Sequence, residues 1–169
     1  NLLIDTLKLP EELSFEEASL IESTACCIKG LREADIQIGD SVAIVGAGPT
    51  GLLLLELAKV LGASDLFVTD LIDYRLRFAE RLGASLALNP SVEDPVRAVR
   101  EKTEGRGADI VVVTAPSLKA LESGLELCRK GGTLCVFAPT PPDVYLKLSP
   151  NRVFFSEIKI VGSYSTSHL

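Results

Sequence analysis

The chain has no methionine, no tryptophan and a single histidine, His168, in 169 residues. Methionine is missing even from position 1, so the sequence reads as a fragment or a processed chain. The only imidazole stands one residue from the end, where it reads as a frayed terminal group, and the usual histidine general base or nucleophile partner is nearly absent. Aromatic residues make up only 5%, which leaves Val, Ile and Leu to build the core and suits strands buried on both faces of a parallel sheet. No apolar run reaches membrane length, because Glu56 and Lys59 interrupt the one after Gly51, and no signal-like segment opens the chain. Lys and Arg gather into no block, and the formal charge of −6 argues against a nucleic-acid groove or an anionic membrane surface. Cys26, Cys27, Cys128 and Cys135 show no C-x-x-C spacing, and a chain of this size needs no disulfide scaffold. They read as buried thiols in a reducing, cytoplasmic compartment.

What the sequence does have is one organising stretch. Val42-Ala43-Ile44-Val45 reads as a buried strand, Gly46-Ala47-Gly48-Pro49-Thr50-Gly51 as a glycine turn, and the leucines that follow as a helix. Gly46 permits a tight reversal, Gly48 removes a side chain where a pyrophosphate must approach the backbone, and Gly51 lets the helix pack close to the sheet. The anion would meet free N–H groups at the positive end of the helix dipole. Pro49 suits the first helical turn, where its missing N–H costs nothing. A bare G-x-G-x-x-G is common by chance, so its flanks carry the inference. A second apolar run, Leu66-Phe67-Val68-Thr69, ends in Asp70, nineteen residues beyond Gly51, where a ribose hydroxyl pair would find a bidentate acceptor.

The remaining chain repeats this strand-helix alternation. Residues 1–22 read as a linker, with Leu2-Leu3-Ile4 extended and Ser14 capping a helix that Glu16 and Glu17 favour and that continues through Ala18. Glu22 stands in an apolar neighbourhood, either as an exposed helix position or capping partner, or as a metal or substrate contact. Asp73 is placed to cap a helix with Leu76, Ala79 and Leu82 on one face, and Leu86-Ala87-Leu88 forms a short third strand. Asp94 and Pro95 open the next helix, and Asp109 to Val113 is a β-branched central strand. Ser117 caps a further helix, Thr133 to Phe137 is the fifth strand, and Ile158 to Gly162 the sixth. Val144 to Leu148 alternates like an edge strand. The sum is an α/β, doubly wound, six-stranded parallel sheet, a Rossmann fold spanning residues 23–169. Its ligand should lie above the carboxyl ends of the strands, which puts Gly46 to Gly51, Asp70, Thr114, Ala115, Phe137 and Ala138 on one rim.

These residues carry a resemblance. Leu20-Ile21-Glu22, Gly39-Asp40, Gly46-Ala47-Gly48-Pro49-Thr50-Gly51, Asp70, Gly83-Ala84, Gly105-Arg106-Gly107-Ala108-Asp109 and Gly131-Gly132 together resemble the coenzyme domain of zinc-dependent medium-chain alcohol, polyol and threonine dehydrogenases, over nearly the whole chain. The resemblance implies NAD as cofactor and a catalytic zinc whose ligands lie mainly in a GroES-like domain outside this chain. It implies a zinc ligand at Glu22, with Ser23 where the family motif has proline. It places Arg75, five positions beyond the ribose acid, at the adenosine ribose or its phosphate. It further implies reversible hydride transfer between a secondary alcohol or polyol and the nicotinamide, with no turnover by this domain alone. A homo-oligomer formed through the sheet edge near Val144 to Leu148 is implied as well.

Charge decides between cofactors. Asp70 would face the extra phosphate of NADP, and two unit charges about 4 Å apart repel by roughly 1 to 4 kcal/mol between bulk-water and near-surface dielectric. NAD is favoured. Three rival readings are a zinc-independent quinone or enoyl reductase of the same superfamily, an S-adenosylmethionine methyltransferase, and a non-catalytic NAD-sensing module. Glu22 argues against the first, and the second needs a reversed seventh strand that the sequence does not offer.

Overall fold

A computed structural model describes residues 8–166. Leu2 to Ile4 and His168, singled out above, lie outside the described residues.

Ser14 caps the first helix, α1 (Phe15–Ala18), through a reciprocal box in which its hydroxyl accepts from the Glu17 N–H and the Glu17 carboxylate accepts from the Ser14 N–H. The expected continuous helix is broken here. The Ser19 hydroxyl donates to the Glu16 carbonyl at 2.6 Å, drawing a carbonyl away from a regular ladder, and α2 starts afresh at Ile21–Glu33.

Six strands follow: β1 (Ser41–Val45), β2 (Asp65–Thr69), β3 (Leu86–Leu88), β4 (Ala108–Val113), β5 (Cys128–Val136) and β6 (Lys159–Gly162). All pair in parallel, in the order β3-β2-β1-β4-β5-β6. The helices between them are α3 (Pro49–Val60), α4 (Asp73–Leu82), α5 (Pro95–Lys102), α6 (Leu118–Leu127) and α7 (Pro150–Ser156). This is the doubly wound sheet expected. The order reverses between β1 and β4, and the two chain directions open a crevice at the carboxyl ends of those strands.

The core has two halves because the sheet has two buried faces. Val42, Ile44, Val68, Ile110 and Val112 point to the face covered by α2, α3 and α4, while Ala43, Val45, Phe67, Val111 and Val113 point to the face under α5 and α6. Each strand thus supplies alternate residues to opposite faces, and burial on both is why β1 reads as an unbroken apolar run.

Two expectations need correction. Val144 to Leu148 forms no strand. Leu146 and Leu148 pack onto the core while Tyr145 stays exposed, so the alternation reflects one-sided packing, and Pro139, Pro141 and Pro142 just before it cannot donate to a ladder. Among the described residues, the edge strand on this side of the sheet is β6. Asp73 is the first residue of α4 and not its cap. Ile72 holds the cap position, and the Asp73 carboxylate instead accepts from Asn89 Nδ2 at 2.7 Å.

Candidate dinucleotide site

The glycine turn follows β1 into α3. Gly46 adopts φ 113°, in the left-handed region, and a Cβ there would strike the Thr114 hydroxyl. Its N–H donates to the Thr69 carbonyl at 2.8 Å, tying the turn to the end of β2. A side chain at Gly51 would collide with the Gly46 carbonyl oxygen, so glycine alone lets α3 close on the turn. Gly48 has nothing within 4 Å of the place its Cβ would occupy. It is the N-cap of α3, with Pro49 next and no side chain capping the helix. With no side chain capping the first turn and open space beside Gly48, the helix start has the features an anion site uses.

Asp70 lies beside this turn with its side chain only 8% exposed. The Ala47 N–H donates to Oδ2 at 2.7 Å and the Ile72 N–H to Oδ1 at 2.9 Å. Arg75 Nη1 stands 3.4 Å from Oδ2. These bonds fix the carboxylate against the glycine turn, and Oδ1, with a single donor, keeps a lone pair for a hydroxyl.

Gly46, Asp70, Arg75 and Ala115 line one cavity of about 370 Å³, with Ile72 and Lys119 among its further walls. Its volume suits a small organic moiety. Lys119 was not singled out from the sequence. Its only signal is its position in the first turn of α6, after the Ser117 cap, and the direction it faces is set by packing.

The other rim residues have mixed duties. The Thr114 hydroxyl lies 3.1 Å from the Val45 and Gly46 carbonyls, where it holds β4 to the turn. Phe137 and Ala138 both donate their N–H groups to the Val113 carbonyl, at 3.0 and 3.2 Å, and so extend the same rim to the end of β5. The Phe137 ring covers Gly30 of α2 so closely that a Cβ would meet it.

Helix α2 is anchored beside the turn through Cys27, whose Sγ lies 3.8 Å from the Thr50 carbonyl. Burial pushes the Cys27 thiol up to about 12 and the Cys135 thiol up to about 11, and all four cysteines are free. Glu22 is exposed in the first turn of α2, and Cys26 Sγ donates to its Oε1 at 3.1 Å. No group of three or more His, Cys, Asp or Glu side chains converges on a metal position among the described residues. Among the described residues no zinc site is complete.

A parallel sheet that reverses beside a glycine turn, with a buried acid at the end of β2, defines a Rossmann-type nucleotide-binding domain. Comparison with known proteins then places it more narrowly. Residues 49–168 match the family model described as zinc-binding dehydrogenase, and the chain belongs to that family. It is 35% identical over 156 residues to sorbitol dehydrogenase of Bacillus subtilis, covering 92% of this chain and 44% of that protein. To L-threonine 3-dehydrogenase of Caldanaerobacter subterraneus it is 33% identical over 162 residues, covering 96% and 45%. Among solved structures, alcohol dehydrogenase TADH from Thermus sp. ATN1 superposes with a TM-score of 0.88 at 34% identity, over 94% of this chain and 46% of that one. A Sinorhizobium meliloti protein of the zinc-binding dehydrogenase type, solved with NADP bound, gives 0.90 at 27% identity over 96% and 48%. The chain therefore spans less than half the length of these relatives.

Proposed function

We propose that this chain is the NAD-binding half of a zinc-dependent dehydrogenase that transfers hydride between a secondary alcohol or polyol and the nicotinamide. The observation that carries the reading is the uncapped start of α3 with open space beside Gly48, near the fixed carboxylate of Asp70 and the cavity it lines. The pyrophosphate would lie on the N–H groups of the glycine turn, and the adenosine ribose hydroxyls would bond Asp70. Arg75 would flank the ribose. Thr114, Ala115, Phe137 and Ala138 would form the rim along which the dinucleotide runs toward β5. Asp70 disfavours a second phosphate on that ribose, which supports NAD over NADP.

Gly48→Asp tests the phosphate role cleanly. Aspartate is a preferred N-cap residue and meets no neighbour there, so the fold survives while a negative charge enters the anion position. NADH affinity falls at least tenfold by calorimetry with the melting temperature unchanged; equal affinity would overturn the assignment.

The domain on its own binds cofactor without turnover, because the substrate pocket and most metal ligands belong to the part of the enzyme outside this chain. Zinc would act there as a Lewis acid on the alcohol oxygen, lowering its pKa. Glu22 is the ligand this chain would contribute, its carboxylate exposed and already paired with the Cys26 thiol. In the full-length enzyme, Glu22→Gln lowers the zinc content measured by atomic absorption; full zinc occupancy in that variant would remove Glu22 from the metal site.

A further inference from the structure

A second cavity, of about 680 Å³, lies at the opposite end of the sheet. It opens where β4 and β5 begin, between the Gly105-Arg106 loop, the end of α6 and helix α7. Arg100, Arg106, Arg129, Lys130 and Arg152 line it, and no Asp or Glu does. That gathers five of the chain's seventeen basic residues at one place in a protein of formal charge −6.

Structural duties account for part of this cluster. Arg129 pairs with Asp109 at 2.5 Å and Arg152 with Glu126 at 2.6 Å. Arg152 also donates to the Leu125 carbonyl, at 3.2 Å, and Arg100 approaches the Glu126 carbonyl at 3.5 Å, both at the end of α6 where cations complement the helix dipole. Arg106, Lys130 and Arg100 form no ion pair among the described residues. Three cationic groups thus share one concavity with no carboxylate to neutralise them, an arrangement that concentrates positive potential and attracts an anion. Guanidinium groups match phosphate oxygens in geometry, and a lysine adds a mobile point charge.

The remaining wall is apolar. Leu125 and Ile158 form its base, and the Phe155 ring is 68% exposed at its mouth, held edge-to-face by Phe154 at 5.1 Å between centroids. A ligand for this wall carries an apolar or aromatic group beside its charge. We propose that this cleft binds a phosphorylated organic molecule, its phosphate between Arg106, Lys130 and Arg100 and its apolar portion against Phe155. The site faces away from the glycine turn, so occupancy does not compete with a dinucleotide.

Phenyl phosphate is the direct probe, titrated by calorimetry into this chain, into the Arg106→Glu/Lys130→Glu double variant and into Gly48→Asp. Saturable binding is expected in the unmodified chain, weakened at least tenfold in the double variant and unchanged in Gly48→Asp. Both substituted cations are exposed, so an unchanged melting temperature and unchanged NADH affinity in the double variant show that its loss is local. Absence of saturable binding, binding that survives the double charge reversal, or binding lost in Gly48→Asp each overturns the proposal. Because the readout does not depend on NADH, a failed dinucleotide reading would leave this result interpretable.

Discussion

At the scale of single residues, the network at the amino end of the sheet shows how a charge is made structural. The Asp109 carboxylate accepts from the Ser41 N–H at 2.8 Å, the Ser41 hydroxyl at 2.5 Å and Arg129 Nε at 2.5 Å. Burial works against its charge, but the Ser41 and Arg129 bonds outweigh it and hold the pKa below the ordinary 3.8. The stabilisation this brings is present above that ordinary value and is lost as pH falls through the depressed one. Asp109→Asn is therefore less stable than the parent at pH 7 by about 1.5–3 kcal/mol, the usual worth of a hydrogen bond to a charged group. In urea melts the gap closes below about pH 4, as the parent's own carboxyl takes up its proton; a gap constant down to pH 2 would contradict the account. The residues of the candidate site differ in how far they could be read in advance. Gly46, Gly48, Gly51 and Asp70 were legible because backbone geometry dictates residue type at fixed spacing. Lys119 was not, since nothing local to its sequence fixes which cavity α6 presents it to.

Among the elements, the strands were legible in outline, most clearly β1, β2 and β4, whose burial on both faces writes continuous apolar runs. Local alternation misled at Val144 to Leu148, where the period of two comes from Leu146 and Leu148 reaching the core without a neighbouring strand to pair. Sheet pairing is a non-local property, and three prolines nearby were the better signal. The consequence is that β6, with Ile160 42% exposed, is the edge that bears on self-association. An unprotected edge is a template for a second copy, and we propose β6 as the edge through which two copies of this chain would pair. Sedimentation equilibrium should find a dimer that Ile160→Lys converts to monomer, since an edge lysine blocks such pairing. A monomer at high concentration in the parent, or an intact dimer in the variant, would remove this edge from the assembly.

On the scale of the whole molecule, the chain divides its chemistry between two ends of one sheet. The carboxyl ends carry the glycine turn, Asp70 and the rim to Phe137; the amino ends carry the cationic cleft. Helix α2 joins the first of these to Glu22, the residue proposed above as a zinc ligand. The chain spans less than half of the relatives it matches, and in the function proposed above it would hold the cofactor while substrate choice would fall to the rest of the enzyme. The central claim is that the carboxyl-end site takes NAD and that Asp70 selects it. Calorimetric titration with NADH, NADPH and S-adenosylmethionine, on the parent and on Asp70→Asn, tests this most directly, because asparagine keeps one acceptor oxygen for the Ala47 N–H and removes the charge, giving up the bond from the Ile72 N–H. The account predicts tight NADH binding, NADPH weaker by about tenfold or more from a repulsion of roughly 1 to 4 kcal/mol, no binding of S-adenosylmethionine, and a narrowed NADH–NADPH gap in the variant. Binding of S-adenosylmethionine in place of NADH, or a gap that Asp70→Asn leaves untouched, would contradict it.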